Sequence, residues 1–249
     1  MKIGYWGKVK QMVKESDLLL EVVDARFPKK SRNWELERIA QSKGKPIIIV
    51  LNKSDLISKR KADFEKNEIN LPCVFVSAKK KMGTLKLKEA IGKTLGNKDS
   101  KVAIAGYPNT GKSSVLNMLK GKKSAPVASR AGFTKGIQFV RISSKIMLVD
   151  SPGVIPLNEY DDTLMALLSA KNPEQIKDIE STGVQIGQVL IESNKEGVEK
   201  HYKVKADDGE ELVEQVALKR RKMLSGGRPD MNAGARILIN DFQTGKIGL

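Results

Sequence analysis

A chain of 249 residues, 40% of them hydrophobic, holds enough apolar material for a packed core, and its formal net charge of +16 favours polyanionic partners. A single cysteine, Cys73, excludes an internal disulfide and a multi-cysteine zinc cluster. No apolar run reaches the roughly 18–20 residues of a membrane span, and the start lacks the pattern of a signal peptide, so the expectation is a soluble, cytoplasmic monomer with no membrane role.

The charge is unevenly placed. Residues 1–155 hold 32 Lys and Arg against 13 Asp and Glu, whereas residues 156–249 hold 13 against 16. The basic excess therefore belongs to the first part of the chain and not to its tail.

Along residues 1–150, short β-branched apolar runs alternate with charged stretches of helix length. The runs are Leu18–Val23, Ile47–Leu51, Val74–Val76, Val102–Ala105, Ile137–Ile142 and Ile146–Val149. The stretches Asn33–Gln41, Ser58–Asn67 and Thr84–Leu95 separate the first four. Apolar strands divided by helices predict a doubly wound, mostly parallel α/β sheet covered on both faces. The last two runs sit so close that they read as a hairpin. Cys73 falls in an apolar run and is expected to be a buried strand residue, while Trp6 and Trp34 are expected to pack on the sheet. Beyond Pro156 the spacing is helical over 162–170, 173–180, 183–202, 210–224 and 231–244. The predicted division is a domain over 1–155 and an all-α domain over 156–249.

Residues 106–113 read Gly-Tyr-Pro-Asn-Thr-Gly-Lys-Ser, a phosphate-binding loop set between a predicted strand and a predicted helix. Backbone amides around Asn109, Thr110, Gly111, Lys112, Ser113 and Ser114 are placed to cradle phosphates at a helix N-terminus. Lys112 would reach the β- and γ-phosphates, and the Ser113 hydroxyl would ligate Mg²⁺. Asp150, Ser151, Pro152 and Gly153 follow the strand ending at Val149. A carboxylate there holds Mg²⁺ through water, and the Gly153 amide meets a γ-phosphate. Thr134 is the candidate hydroxyl that joins the Mg²⁺ shell when a γ-phosphate is present. Asn52-Lys53-Ser54-Asp55 matches the guanine-specifying sequence: Asp55 accepts from the guanine ring N–H and amine, a donor pair adenine lacks. Asn52 braces that loop and the Lys53 stem packs over the base. Ser77-Ala78-Lys79 matches its companion, whose Ala78 amide contacts the guanine oxygen. The cofactors expected are GTP or GDP with Mg²⁺.

The guanine loops precede the phosphate elements, whereas an ordinary small GTPase has them in the reverse order. In this the chain resembles the circularly permuted ribosome-assembly GTPases, in their large-subunit, YlqF-like branch. The segment Asp24-Ala25-Arg26-Phe27-Pro28-Lys29-Lys30-Ser31-Arg32-Asn33, the rotated motif set and the tail Gly226-Gly227-Arg228-Pro229-Asp230, followed by Ala235-Arg236 and the ending Gly245-Lys246-Ile247, carry the resemblance. It implies a P-loop GTPase fold with permuted strand order and a C-terminal helical domain that binds RNA. It further implies action on the large ribosomal subunit precursor through ribosomal RNA.

The resemblance also implies a K⁺ ion near Asn109, although plain loop-turn chemistry accounts for that residue equally well. Val154 occupies the position where many GTPases carry a water-orienting Gln, and no histidine precedes His201, which reads as a surface residue. Slow intrinsic hydrolysis follows. Basic clusters at Lys29-Lys30-Arg32, Lys79–Lys81, Lys120-Lys122-Lys123 and Lys219–Lys222 suit RNA phosphates. Passage of the chain from Gly153 into the tail domain within about ten residues suggests that a γ-phosphate contact reorients that domain. Two other readings stay open: a GTPase acting on the small subunit or on tRNA, and a nucleotide-sensing RNA-binding module with negligible hydrolysis.

Overall fold

The apolar runs assemble into one sheet. The computed structural model describes residues 3–96, 98–120, 138–142, 145–150 and 161–249. Within them the strands are β1 (Leu18–Asp24), β2 (Ile47–Asn52), β3 (Cys73–Phe75), β4 (Ser100–Ala105), β5 (Gln138–Arg141) and β6 (Ile146–Asp150). They lie side by side in the order β3-β2-β1-β4-β6-β5. Every neighbouring pair is parallel except β5 with β6, which forms the antiparallel hairpin.

The helices of this part are α1 (Ile3–Glu15), α2 (Pro28–Ser31), α3 (Trp34–Ser42), α4 (Lys59–Asn67), α5 (Thr84–Leu95) and α6 (Lys112–Lys120). Right-handed crossovers decide where they go. The chain moves outward from β1 to β3 through α3 and α4, then returns to β4 through α5, so α5 falls on the opposite face. On that face Leu20, Val22, Ile48, Val50 and Ile104 pack with Leu87, Ile91, Val115 and Leu119. Both β1 and β2 are buried along their full length, as strands covered on two sides must be.

The opening helix α1 was not among the predicted elements. Its signal is the spacing of Trp6, Val9, Met12 and Val13, all of them buried. Trp6 packs as expected, but Trp34 does not: it is 60% exposed. Leu36, Ile39 and Ala40 take the inner face of α3, which leaves position 34 phased outward. Cys73 is half-buried because β3 is the edge strand, and burial pushes its thiol above the ordinary range.

The chain divides into two compact units, Met1–Asp55 with Lys59–Leu157, and Leu56–Ser58 with Asn158–Leu249. The second contains α7 (Asp162–Leu167), α8 (Ile179–Tyr202), α9 (Gly209–Lys219) and α10 (Met231–Gln243). The last three pack on one another through buried Leu190, Val213, Val216, Leu238 and Phe242. Asp161, Asp178, Asp208 and Asp230 each precede one of these helices and accept a first-turn amide. Part of the acidity of this region is therefore structural.

Two helical expectations are corrected here. Residues 173–180 form a 3₁₀ turn over Pro173–Gln175, and then Ile176 is extended before the Asp178 cap. The 210–224 stretch stops at Lys219, since Arg221 takes a left-handed φ of 54° and the chain folds back through a Met223–Pro229 bridge.

Glu21 stands out as a fully buried acid in the middle of β1, where its Oε1 accepts the Asn33 amide at 2.5 Å. Burial, and then the neighbouring Glu37 carboxylate, raise its pKa well above the ordinary value of 4.5. The folded protein thus retains a proton that the unfolded chain releases above that value. By linkage, stability declines as pH rises from the unfolded pKa towards the folded one. Glu21→Gln removes this titration. In urea melts between about pH 5 and 8 the variant should gain on the parent as pH rises; a gap that stays constant with pH contradicts the assignment.

Candidate nucleotide-binding site

In a parallel sheet all strands present their carboxyl ends at one edge, and ligands collect where the chain reverses direction across the sheet. Here that point lies between β1 and β4. Asp24 ends β1 opposite Asn52 at the end of β2, and Asp150 ends β6 opposite Ile104. Residues 106–111 leave β4 at the same edge and lead into α6.

The phosphate loop owes its shape to two glycines. Gly106 has a φ of 145°, and a side chain there would run into the Val22 carbonyl of β1. Gly111 has a φ of 94°, and a side chain there would strike the Asn52 amide. Asn109 takes a left-handed φ of 57° between them. Lys112, buried at the start of α6, donates to the Tyr107 carbonyl at 2.6 Å, and the Thr110 hydroxyl donates to the same oxygen at 3.0 Å. Ser113 and Ser114 are exposed in the first turn of α6.

Asn52 is buried and ties three loops together. Its Nδ2 donates to the Thr110 carbonyl at 2.8 Å, and its Oδ1 accepts the Ala78 amide at 3.0 Å. The neighbouring Ser77 is buried, pairs with Met82 across a tight turn, and accepts the Lys80 amide at 3.1 Å through its hydroxyl. Lys79 is exposed in that turn. Asp55 lies on the short 3₁₀ turn Ser54–Leu56, with its Oδ2 3.6 Å from Lys80 Nζ.

Lys53 has a left-handed φ of 62°, and its ammonium donates to Asp24 Oδ2 at 2.8 Å. Asp24 also receives Arg26, whose Nε lies 3.0 Å from Oδ1 and whose Nη2 lies 2.8 Å from Oδ2. Arg26 and Asp24 are both fully buried. Burial alone would raise the Asp24 carboxyl, but Arg26 and then Lys53 outweigh it and hold the pKa well below the ordinary range. Burial presses Lys53 below the usual lysine range, with Asp24 pulling in the opposite direction. The role of Asp24 and Arg26 beneath the guanine loop was not read from the sequence. A run of charged residues directly after an apolar strand was the available signal.

Asn52, Lys53, Asp55, Ser77, Ala78, Lys79 and the loop from Asn109 to Ser114 thus share one edge of one unit. Asp150 reaches that edge by its backbone. Thr134 and Gly153 lie outside the described residues. Positive φ angles at Gly106, Asn109 and Gly111, a helix N-terminus and a buried lysine fit a polyphosphate. Oxygen donors at Ser113 and Asp150 are of the hard type that Mg²⁺ takes.

This order of strands and loops defines a P-loop nucleotide-binding protein with permuted connectivity. Residues 101–216 match the 50S ribosome-binding GTPase family. An uncharacterized GTP-binding protein of Methanocaldococcus jannaschii is 37% identical over 243 residues, covering 96% of this chain and 65% of that protein. Nuclear/nucleolar GTPase 2 of Arabidopsis thaliana is 32% identical, covering 97% of this chain and 43% of its own length. The chain therefore spans less than two thirds of these curated relatives. GNP-bound YlqF from T. maritima shares the fold, with a TM-score of 0.66 at 24% identity over 98% of this chain and 95% of that one. Alignment with the sequence relatives runs through nearly all of this chain, so both guanine and phosphate loops fall within it. The chain is thus similar to these GTP-binding proteins along nearly all of its own length.

Replacing Asp24 by Asn leaves the Arg26 guanidinium buried without its counter-charge. Losing one partner of a buried pair costs about 3–5 kcal/mol. Urea unfolding of Asp24→Asn should show a loss of that size, and a loss below about 1 kcal/mol would mean that the pair carries little.

Proposed function

We propose that this chain binds and hydrolyses GTP and acts in assembly of the large ribosomal subunit through ribosomal RNA. The observation that carries the proposal is the Asn52 side chain, which joins a phosphate loop to two loops of guanine-specifying sequence. The family description and the nucleolar names of relatives support the ribosomal part.

In this reading Asp55 accepts the guanine ring N–H and exocyclic amine, the Ala78 amide meets the guanine oxygen, and the Lys53 stem covers the base. Ser77 and Lys79 shape the Ala78 turn. Backbone amides from Asn109 to Ser114 hold the α- and β-phosphates, and Lys112 bridges towards the γ-phosphate. Mg²⁺ would be held by Ser113, Thr134 and, through water, Asp150, neutralising charge on the phosphate oxygens when bound. Gly153 contributes its amide at the γ-phosphate. With Val154 in place of a water-orienting side chain, intrinsic turnover is slow and is raised by the ribosomal particle. Asn109 would hold a K⁺ ion, which would supply further positive charge at the phosphates when bound.

The helical unit offers an RNA contact of its own. Residues 218–228 are exposed throughout, and the Met223–Pro229 bridge holds them in a reversing loop. The loop carries Lys219, Arg220, Arg221, Lys222 and Arg228 with no acid. Among the described residues no helix is long and apolar enough to cross a membrane. The working compartment is that of the ribosomal precursor, which the names of the plant relatives make nuclear or nucleolar for those proteins. The chain acts as a monomer.

Titration with GTP, GDP and ATP tests the nucleotide assignment. The parent should prefer GTP to ATP by about 10⁴-fold, and Asp55→Ala should bring that ratio near unity. Equal binding of the two triphosphates by the parent refutes the reading. Phosphate release should rise with purified large subunits and should be faster in KCl than in NaCl. Stimulation by small subunits alone would transfer the function to that particle. Equal rates in the two salts would remove K⁺. Co-sedimentation with large subunits should differ between GTP and GDP analogues if nucleotide state controls docking.

A further inference from the structure

We infer that the groove between α1 and α3 is a second RNA site, one that takes single-stranded ribosomal RNA by its phosphates and stacks a base on Trp34. The inference rests on the ribosomal reading above but concerns a surface of the first unit that shares no residue with the nucleotide loops.

The groove encloses about 760 Å³ and is lined by Lys10, Gln11 and Lys14 of α1 and by Glu35, Arg38 and Lys43 at α3. The three α1 residues recur at three- and four-residue spacing and so form one stripe. Trp6, Val9, Met12 and Val13 occupy the buried side of that helix, which leaves its cationic side outward. Glu35 is the single acid in the lining, and it already pairs with Arg38 at 2.6 Å. The surface thus offers a surplus of lysine ammonium groups over carboxylates, the complement of a phosphate chain.

Trp34 supplies a second and independent feature. It lies one turn before Arg38 on the same face of α3 and is 60% exposed. Arg32 lies 4.1 Å from the centre of its ring and is itself held by Glu37 through two hydrogen bonds of 2.8 and 2.7 Å. An exposed tryptophan steadied by an anchored guanidinium is a stacking platform. Ring stacking needs an unpaired base, which selects single strands, loops or bulges over a continuous duplex. The ring stands beside the groove and not in its lining, which Arg38 joins one turn further along α3, so the lysines there are placed to take the phosphates next to the stacked nucleotide.

The test uses the full chain with a fluorescently labelled single-stranded RNA 12-mer and a blunt RNA duplex of equal length. Anisotropy is followed over a series of KCl concentrations. The triple variant Lys10→Gln, Lys14→Gln, Lys43→Gln should lower single-strand affinity about tenfold or more and flatten the log–log salt slope by about 2, given roughly 0.7 per lost phosphate contact. Trp34→Ala should weaken single-strand binding about tenfold with little effect on the duplex. Trp34→Phe should preserve most of that affinity while abolishing the RNA-dependent quenching of the exposed tryptophan. All three variants alter exposed side chains and should keep parental guanine-nucleotide affinity.

An unchanged salt slope and unchanged single-strand affinity, with nucleotide binding intact, overturn the groove and leave the proposed function standing. Loss of association with large subunits but not with naked RNA also overturns it, because the groove would then contact ribosomal protein. A parent chain that neither prefers GTP nor co-sediments with large subunits defeats the underlying reading instead.

Discussion

Asn52 is the constraint on which the rest of the site depends. Its amide touches both the phosphate loop and the Ala78 turn, donating to one and accepting from the other. Because it is buried, water cannot replace either bond at low cost. The glycine at position 111 follows from the same contact, since any side chain there would occupy the space of the Asn52 amide. One residue of the guanine-loop sequence thus dictates a residue nearly sixty positions later in the phosphate loop.

Beneath that clamp lies a buried charge arrangement that is strong in geometry and costly to solvate. Asp24 serves Arg26 and Lys53 at once, and the two cations overcome the burial that would otherwise neutralise it. Such networks are weak sources of net stability but severe when broken, because the remaining charge cannot return to water. Their value here is positional. Lys53 sits in a left-handed backbone conformation that few residues with side chains adopt freely, and its ammonium is fixed at a strand end instead of ranging through solvent. The stem that faces the proposed base is thereby held at both ends.

Permuted order leaves this arrangement intact because none of its interactions depends on which loop comes first. Parallel strands deliver their carboxyl ends to one edge whatever their sequence order, and the β3-to-β4 crossover through α5 brings the phosphate loop back beside β1. The register of β1 with both β2 and β4 then sets Asp24 against Asn52 and Val22 under Gly106. The second unit obeys a different logic. It is built from helices whose starts are fixed by aspartates, so a nearly neutral composition reflects capping as much as surface choice.

The sequence by itself determined the sheet, its hairpin, most helices and the places of the loops with nucleotide-binding motifs. These features are local: apolar runs of strand length, helical spacing, and glycines in a short fixed pattern declare themselves within a few residues. It did not disclose α1, whose apolar stripe is sparse and interrupted by lysines. Nor did it disclose the exposed ring of Trp34, which depends on which side of α3 the sheet claims. The continuous helix read over 173–180 failed because Pro173 and the cap at Asp178 break it, and the one over 210–224 failed because the chain reverses at Arg221. Tertiary structure alone decided that Asp24 and Arg26 underlie Lys53, that Asn52 spans three loops, and that Glu21 is buried beside Glu37. Those contacts join residues brought together by strand register and crossover, and no pattern along one stretch of chain encodes the distance between two others.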